Sequence, residues 1–379
     1  MNKVIIEEDV LQHNIDVIKD KIKNSNTSPK IIAVLKNNAY GMGYGVLAQK
    51  LLENGIDFFA VSEISEGIEL RNLGLSNDIL ILNSTSIYED VRNAIKNDLI
   101  LTIGSFDALE TAEKIAKEEN KEVRVHLKLD TGFSRFGFDA DLICADNKSP
   151  IDLPSAIKDA FVSSPHLKLC GTYTHFQESY SKDSKTTRAQ FSKFCKACEY
   201  LSNNGLELGI KHCCNSSAFF KYPDMYLDAI RIGSAFTGRL QISENTGLKR
   251  VGYLQSSICD VKYLKKGSKI GYSGLCKLNK DTKVAVVECG YSDGFGVSGP
   301  RDSARLIDKL RKLKSILKDF FNDCNTYVML NNHKVKVLGR IGMKNFVVDV
   351  NDIDCKVGDK VKIDVNIVLC NQSIERVLM

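Results

Sequence analysis

Along the first two thirds of the chain, short apolar runs rich in β-branched residues alternate with longer stretches whose apolar positions repeat at helical spacing. Eight runs read as buried strands: Ile31–Lys36, Asp57–Ser62, Asp78–Asn83, Leu99–Ile103, Glu122–Lys128, Lys168–His175, Leu208–Cys213 and Asp228–Ile232. Between most of them lie helical stretches such as Val46–Glu53, Glu63–Asn72, Asp107–Lys117 and Thr187–Ser202. Between Asn215 and Leu227 there is room only for a short helix. Alternation of this kind predicts parallel strands joined by crossover helices. Eight units with so little chain between them fit a (β/α)8 barrel better than an open sheet.

Beyond Leu240 the pattern changes. Ile258–Leu264, Lys283–Cys289, His333–Leu338, Asn345–Val350 and Lys360–Val365 read as strands joined by turns such as Lys266-Gly267 and Gly358-Asp359. One helical island interrupts them, with Leu306, Leu310, Leu313, Leu317 and Phe321 on one face and Arg305, Lys309, Lys312 and Lys314 elsewhere. The predicted fold class is α/β: a (β/α)8 TIM barrel over 10–238, followed by a β-rich C-terminal domain. That domain is formed by 239–379 with 1–9, with an inserted helix at about 301–321.

Composition narrows the class without altering this plan. The 379 residues are 43% hydrophobic and 26% charged, values of a soluble globular protein with ample core. The net charge of +5 is small and spread along the chain, which gives no footprint for nucleic acid. No apolar run reaches the roughly 18 residues of a membrane span, and the N-terminus lacks the apolar core of a secretion signal. The twelve cysteines are scattered, and Cys195 and Cys198 form a CxxC pair with no second pair to complete a zinc site. Reduced thiols in a cytoplasmic protein are expected.

Barrels carry their active sites at the C-terminal ends of the strands. The first run ends in Lys36, placed for its amine to condense with a carbonyl once it loses its proton. The fifth leads into Lys128-Leu129-Asp130-Thr131-Gly132-Phe133-Ser134-Arg135, the sixth ends in His175, the seventh leads into Asn215-Ser216-Ser217 and the eighth into Arg231-Ile232-Gly233-Ser234. Loops after strands seven and eight often bind phosphate. There Ser216 offers a hydroxyl, and Gly233 and Ser234 offer backbone N–H groups that allow close approach. A phosphate site opposite a strand-one lysine suits a phosphorylated cofactor that bears an aldehyde.

These residues also carry a resemblance. Leu35-Lys36-Asn37-Asn38-Ala39-Tyr40-Gly41-Met42-Gly43 resembles the cofactor-lysine signature of the alanine racemase family. In the same order, so do Leu127–Phe138, Gly171–Phe176, Asn215-Ser216, Arg231–Gly238, Gly271-Tyr272, Gly290-Tyr291-Ser292-Asp293-Gly294 and Gly339–Met343. The likeness covers nearly the whole chain and implies pyridoxal 5'-phosphate as cofactor, a small amino acid as substrate and a homodimer with shared active sites. It implies that Lys36 holds the cofactor and is one of two bases, and that Tyr272 of the partner subunit is the other. Arg231 would face the pyridine nitrogen, Arg135 the phenolic side of the cofactor and the substrate carboxylate, and His175 would bridge Tyr272 and Arg231. Tyr40, Asn215, Ser216, Gly233 and Ser234 would bind cofactor, while Tyr291 and Met343 would line the substrate entrance and carboxylate site. Lys128 matches a lysine that some members carry carbamylated. D-alanine made this way would feed a bacterial cell wall.

The chemistry agrees with that assignment. Racemisation needs a base on each face of the α-carbon. An amine and a phenol, with reference pKa values near 10, must be drawn toward neutrality by cations. Arginine at the pyridine nitrogen cannot take a proton, so it weakens the electron sink and suppresses side reactions. A decarboxylase of the same plan would carry a carboxylate there instead. The sequence departs from the family at Lys344, where aspartate is usual, at Ser234 for isoleucine, and at Ile374 and Glu375, where a tyrosine is expected before Arg376-Val377. These changes leave two alternatives to alanine racemisation open: a racemase for serine or another amino acid, and a catalytically degenerate cofactor-binding paralogue.

Overall fold

The structure is a computed structural model and describes residues 1–145, 152–240, 242–274, 276–298 and 326–379. The helix expected at 301–321 lies outside the described residues. The chain divides into two compact units, Asp9–Arg250 and Met1–Glu8 with Val251–Met379. The expected boundary at 238 and the division at 250 differ because the intervening segment is tied to the barrel. Asn14, buried in the first helix, donates from Nδ2 to the Phe236 and Lys249 carbonyls and accepts from the Lys249 N–H.

The larger unit is a closed parallel barrel. Its strands are Lys30–Val34, Phe58–Val61, Asp78–Ile81, Leu101–Ile103, Val123–Asp130, Leu167–Tyr173, Ile210–His212 and Ala229–Ile232. Numbered one to eight, they pair in the order 3-2-1-8-7-6-5-4. Strands three and four close the ring at the Leu80–Ile100 bridge, through Ile81 N–H to Ile100 O and Ile100 N–H to Ile79 O, both 2.9 Å. The crossovers expected from the apolar spacing are helices: Tyr44–Glu53, Ile64–Asn72, Phe106–Glu118 and Lys185–Asn203. The short one after strand seven is Ser216–Lys221.

Side chains of a strand alternate between the helix layer and the barrel interior. Ile32, Val34, Phe58, Ala60, Leu80, Ile100 and Ala229 form an apolar cluster inside, joined by Ile210 and Cys170. Two residues further along, the same inward register carries Arg231 after Ala229 and His212 after Ile210. The core thus turns polar where the strands end. Strand one stops at Val34 rather than at Lys36, because the chain coils left-handed immediately afterwards.

The smaller unit is antiparallel for most of its length. Tyr253–Leu264 pairs with Lys360–Ile363 through Leu254–Ser257 and with Thr282–Val287 through Ile258–Leu264. An irregularity between Ile258 and Asp260 lets one strand turn from the first partner to the second. Phe346–Asp349, His333–Leu338 and Tyr327–Leu330 complete a six-stranded ring. Lys3–Ile6 and Glu375–Leu378 add a parallel pair at its side, a pairing of chain ends that local pattern does not reveal. No described helix is long and apolar enough to cross a membrane.

Candidate active site

Lys36 opens a turn that L-residues rarely adopt. Asn37, Asn38, Ala39 and Tyr40 all have φ between 51° and 54°, and Gly41 follows at 83°. A left-handed turn costs roughly 1–2 kcal/mol per non-glycine residue, so the surroundings must hold it. They do so on both sides. Gly41 N–H donates to the Asn37 and Asn38 carbonyls, Gly43 N–H to Asn38 O, and Tyr44 N–H to the Asn38 side chain at 3.0 Å. The Asn37 N–H donates to Glu66 Oε1 at 2.5 Å. The Lys36 amine lies 5.9 Å from the Tyr40 ring centre. Burial, then the charge of Arg135, lowers its pKa, against a smaller raising effect of Glu66.

Arg231, 3% exposed, is the centre of the polar layer. Its Nη1 donates to His212 Nδ1 at 2.7 Å and to His212 O at 3.1 Å. Its Nη2 donates to Thr174 O at 2.7 Å, to Cys213 O at 3.2 Å and, more weakly, to His175 Nδ1 at 3.4 Å. No described carboxylate pairs with it. Because a guanidinium only donates, His212 must accept at Nδ1 and carry its proton on Nε2, which donates to His126 Nδ1 at 3.0 Å. Burial, then Arg231, depresses both imidazoles, His126 to about 3, so both are neutral. By the same logic His175 keeps its proton on Nε2. Burial and then Arg231, Lys128, Arg135 and Lys36 hold its pKa well below the ordinary value. His126 and His212 were absent from the expected site. Their only signal along the chain was the alternation that puts His126 on the register of Lys128, and His212 on that of Ile210.

Gly233 and Ser216 form a tight cradle. Ser216 Oγ accepts from Gly233 N–H at 3.0 Å and Ala235 N–H at 3.4 Å. A side-chain carbon at Gly233 would lie 2.6 Å from the Tyr40 hydroxyl and 2.5 Å from its ring, so glycine is required for Tyr40 to sit there. Ser234 is half-buried beside it. Asn215 caps the helix Ser216–Lys221 by accepting from Ala218 N–H, and it also accepts from Ser179 Oγ at 2.8 Å. Its side chain therefore orients the cradle from behind.

Asp130 Oδ1 accepts from the N–H groups of Gly132, Phe133 and Ser134. Gly137 then packs on the end of strand five, where a side-chain carbon would meet Asp130 N at 2.7 Å. Between these anchors Arg135 is exposed, with its guanidinium 4.6 Å from the Phe133 ring centre. Lys128, 4% exposed, lies between the rings of Tyr173 and Phe136, at 5.1 and 5.5 Å. Burial, then Arg231 and Arg135, pulls its pKa down to about 7. Lys36, Lys128, Arg135 and Arg231 are thus four basic groups gathered around the neutral His175, and the nearby carboxylates, Asp130 and Glu66, accept from backbone N–H groups and, at Glu66, from the Tyr44 hydroxyl.

In the smaller unit, Lys269–Ile270 and Cys276–Lys277 pair as a hairpin whose turn begins at Tyr272, 73% exposed. Tyr291 and Met343 share one double loop. Tyr291 N–H donates to Gly342 O, and the Ser292 hydroxyl donates to Met343 O at 2.7 Å. Gly290 has no room for a side chain, which would come within 2.2 Å of Met343 O. Buried Asp293 accepts from Gly290 N–H and from Lys344, each at 3.0 Å.

Comparison with known proteins decides the relationship. The family model for the alanine racemase N-terminal domain matches residues 6–241, and that for the alanine racemase C-terminal domain matches 251–375. The chain belongs to the alanine racemase family. It is 30% identical to an alanine racemase of Methanococcus maripaludis over 92% of this chain and 87% of that one. It is 32% identical to one of Clostridium perfringens over 94% and 84%. The solved structure of an alanine racemase from Clostridium difficile superposes with a TM-score of 0.83 at 26% identity, covering all of this chain and 95% of that one. The family's barrel and β-rich second domain are both present. Against that background Lys344 has an electrostatic partner in Asp293. At the C-terminus, Arg376 braces the turn of residues 370–374 through the Cys370, Asn371, Gln372 and Ile374 carbonyls.

Proposed function

We propose that this chain is a pyridoxal-phosphate-dependent isomerase that interconverts L- and D-alanine, with Lys36 and Tyr272 as the two bases. The observation that carries the proposal is the barrel mouth. An amine with depressed pKa and a set of cations without carboxylate partners share the strand ends with a glycine cradle at the Tyr40 hydroxyl. The residues present fit an anionic cofactor. Ser216, Gly233, Ser234 and Tyr40 would hold its phosphate, Arg231 its ring nitrogen and Lys36 its carbonyl carbon, with Asn215 behind the cradle. Bound pyridoxal phosphate would supply the delocalisation that lets the substrate α-proton leave.

The chain's own groups do the rest. Arg135 would hold the substrate carboxylate, with Lys128 behind it. A neutral amine at Lys128, near its pKa of about 7, is the form that carbon dioxide carbamylates. Arg231 is fixed in its orientation and keeps its proton, which disfavours decarboxylation and transamination. His175, with its proton on Nε2, can donate to a phenolate and so favour Tyr272 as a base. Tyr272, Tyr291 and Met343 are all exposed in a single chain, which supports a homodimer in which the partner subunit's Tyr272 completes the site. A cytoplasmic enzyme supplying D-alanine to a bacterial cell wall fits this reading, and none of the eleven described cysteines is in a disulfide.

The test follows α-proton exchange of L-alanine in heavy water, with L-serine and a wider panel beside it. Exchange with inversion of alanine is expected. Faster inversion of serine than of alanine would replace the substrate, and bound cofactor without exchange on any amino acid would replace racemisation with the degenerate paralogue.

A further inference from the structure

Glu66, in the first turn of helix Ile64–Asn72, has a bonding pattern that helix capping alone does not explain. Its Oε2 accepts from the N–H groups of Ser62 and Glu63, at 2.9 and 3.1 Å, as a residue closing its own helix start would. Its Oε1 leaves that helix and accepts from Asn37 N–H at 2.5 Å and the Tyr44 hydroxyl at 3.0 Å. Asn37 is the first residue of the left-handed turn, and Tyr44 is the first of the helix that follows it. One carboxylate therefore bolts both ends of the strained turn to the end of strand two.

We propose that Glu66 is a positioning residue that holds the Lys36 turn in its left-handed form and so sets the Lys36 amine at the cofactor. This rests on the reading of Lys36 as the cofactor lysine. Only a carboxylate can serve. Four donors point at its two oxygens, and three of them are backbone N–H groups that cannot reverse. Glutamine has one acceptor oxygen, so either flip turns its NH2 toward at least one backbone N–H. The groups facing Lys36 are Arg135, which lowers its pKa, Glu66, which raises it, the Tyr40 ring, and His175.

The experiment compares wild type, Glu66→Gln and Tyr44→Phe. The first readout is amide exchange of residues 37–44 in cofactor-free protein, with strand Val123–Asp130 as the folding control. About ten-fold or faster exchange in Glu66→Gln, with the control strand unchanged and Tyr44→Phe close to wild type, is expected. Unchanged exchange of 37–44 overturns the proposal. The second readout is the pH midpoint for borohydride trapping of pyridoxal phosphate on Lys36, mapped by peptide mass. A released turn frees Lys36 from burial and Arg135, so the midpoint moves up. A purely electrostatic Glu66 would move it down, and that result also overturns the proposal. If Glu66→Gln does not fold, Asn37→Gly with Ala39→Gly in the same background relieves the left-handed strain. Recovery of the fold supports the role, and failure to recover it counts against it. A wild-type adduct away from Lys36 refutes the cofactor-lysine reading, while the exchange readout still decides the role of Glu66.

Discussion

Arg231 at the barrel mouth is 3% exposed and donates to five acceptor atoms, whereas Tyr272 at its hairpin tip is 73% exposed and no described group bonds its hydroxyl. The first region is finished within one chain. Its side chains are fixed by buried bonds, and its charges press on one another so that an amine titrates low. In the second region hydrogen bonds tie the backbone of the Gly290–Met343 double loop, but the side chains of Tyr272, Tyr291 and Met343 end in solvent. The contrast is between side chains held by buried bonds at the barrel mouth and side chains left in solvent on the smaller unit, as expected if, on the proposed reading, the barrel holds the ligand and the smaller unit presents Tyr272 to a partner subunit.

Four substitutions test this contrast. Lys36→Ala should have the largest effect, a loss of turnover of about 10⁴-fold or more together with the visible absorbance of bound cofactor, since on the proposed assignment it removes both holder and base. Tyr272→Phe should cost about 10²–10⁴-fold in racemisation and leave cofactor absorbance and thermal stability nearly unchanged, because the lost hydroxyl is exposed. A Tyr272→Phe protein that also loses cofactor would erase the distinction between the two regions. Gly233→Ala should come next. Its added carbon drives into Tyr40, so cofactor affinity should fall roughly 10-fold or more and stability by about 1–3 kcal/mol, measured by equilibrium dialysis and thermal melting.

The fourth substitution, Lys128→Met, leaves the proposed bases in place and is read as a pH profile of stability, where the change within one pH unit is small. In the folded protein Lys128 releases its proton near 7, while in the unfolded chain it holds it to about 10.5. Between those values the unfolded state carries more protons, so wild-type stability should rise with pH, by at most about 1.4 kcal/mol per pH unit. Lys128→Met should flatten that rise in cofactor-free protein. Equal slopes for the two proteins would mean that Lys128 is not desolvated as its surroundings require.

Much of this was legible along the chain. The strand and helix alternation follows from side-chain periodicity, which is local, and so does the location of polar residues just past apolar runs. Lys36, Arg135, His175, Ser216 and Arg231 stood out for that reason. Glu66, His126 and His212 did not. A histidine inside an apolar strand reads as core, and a glutamate in a first turn reads as a helix cap. Only the pairing of strands seven and eight sets His212 against Arg231, and only the left-handed turn brings the Asn37 N–H onto Glu66.

The class of fold, the polar residues at the strand ends and the family motifs were all readable in the linear chain, because each depends on the order and spacing of residues near one another. The folded structure settled the tautomers of three histidines, the lowered pKa of Lys36 and Lys128, the pairing of Lys344 with Asp293 and the hydrogen bonds of Glu66 to the left-handed turn. Those properties arise from charges and donors contributed by separate strands, and their strength depends on burial and distance, which no local stretch of chain specifies.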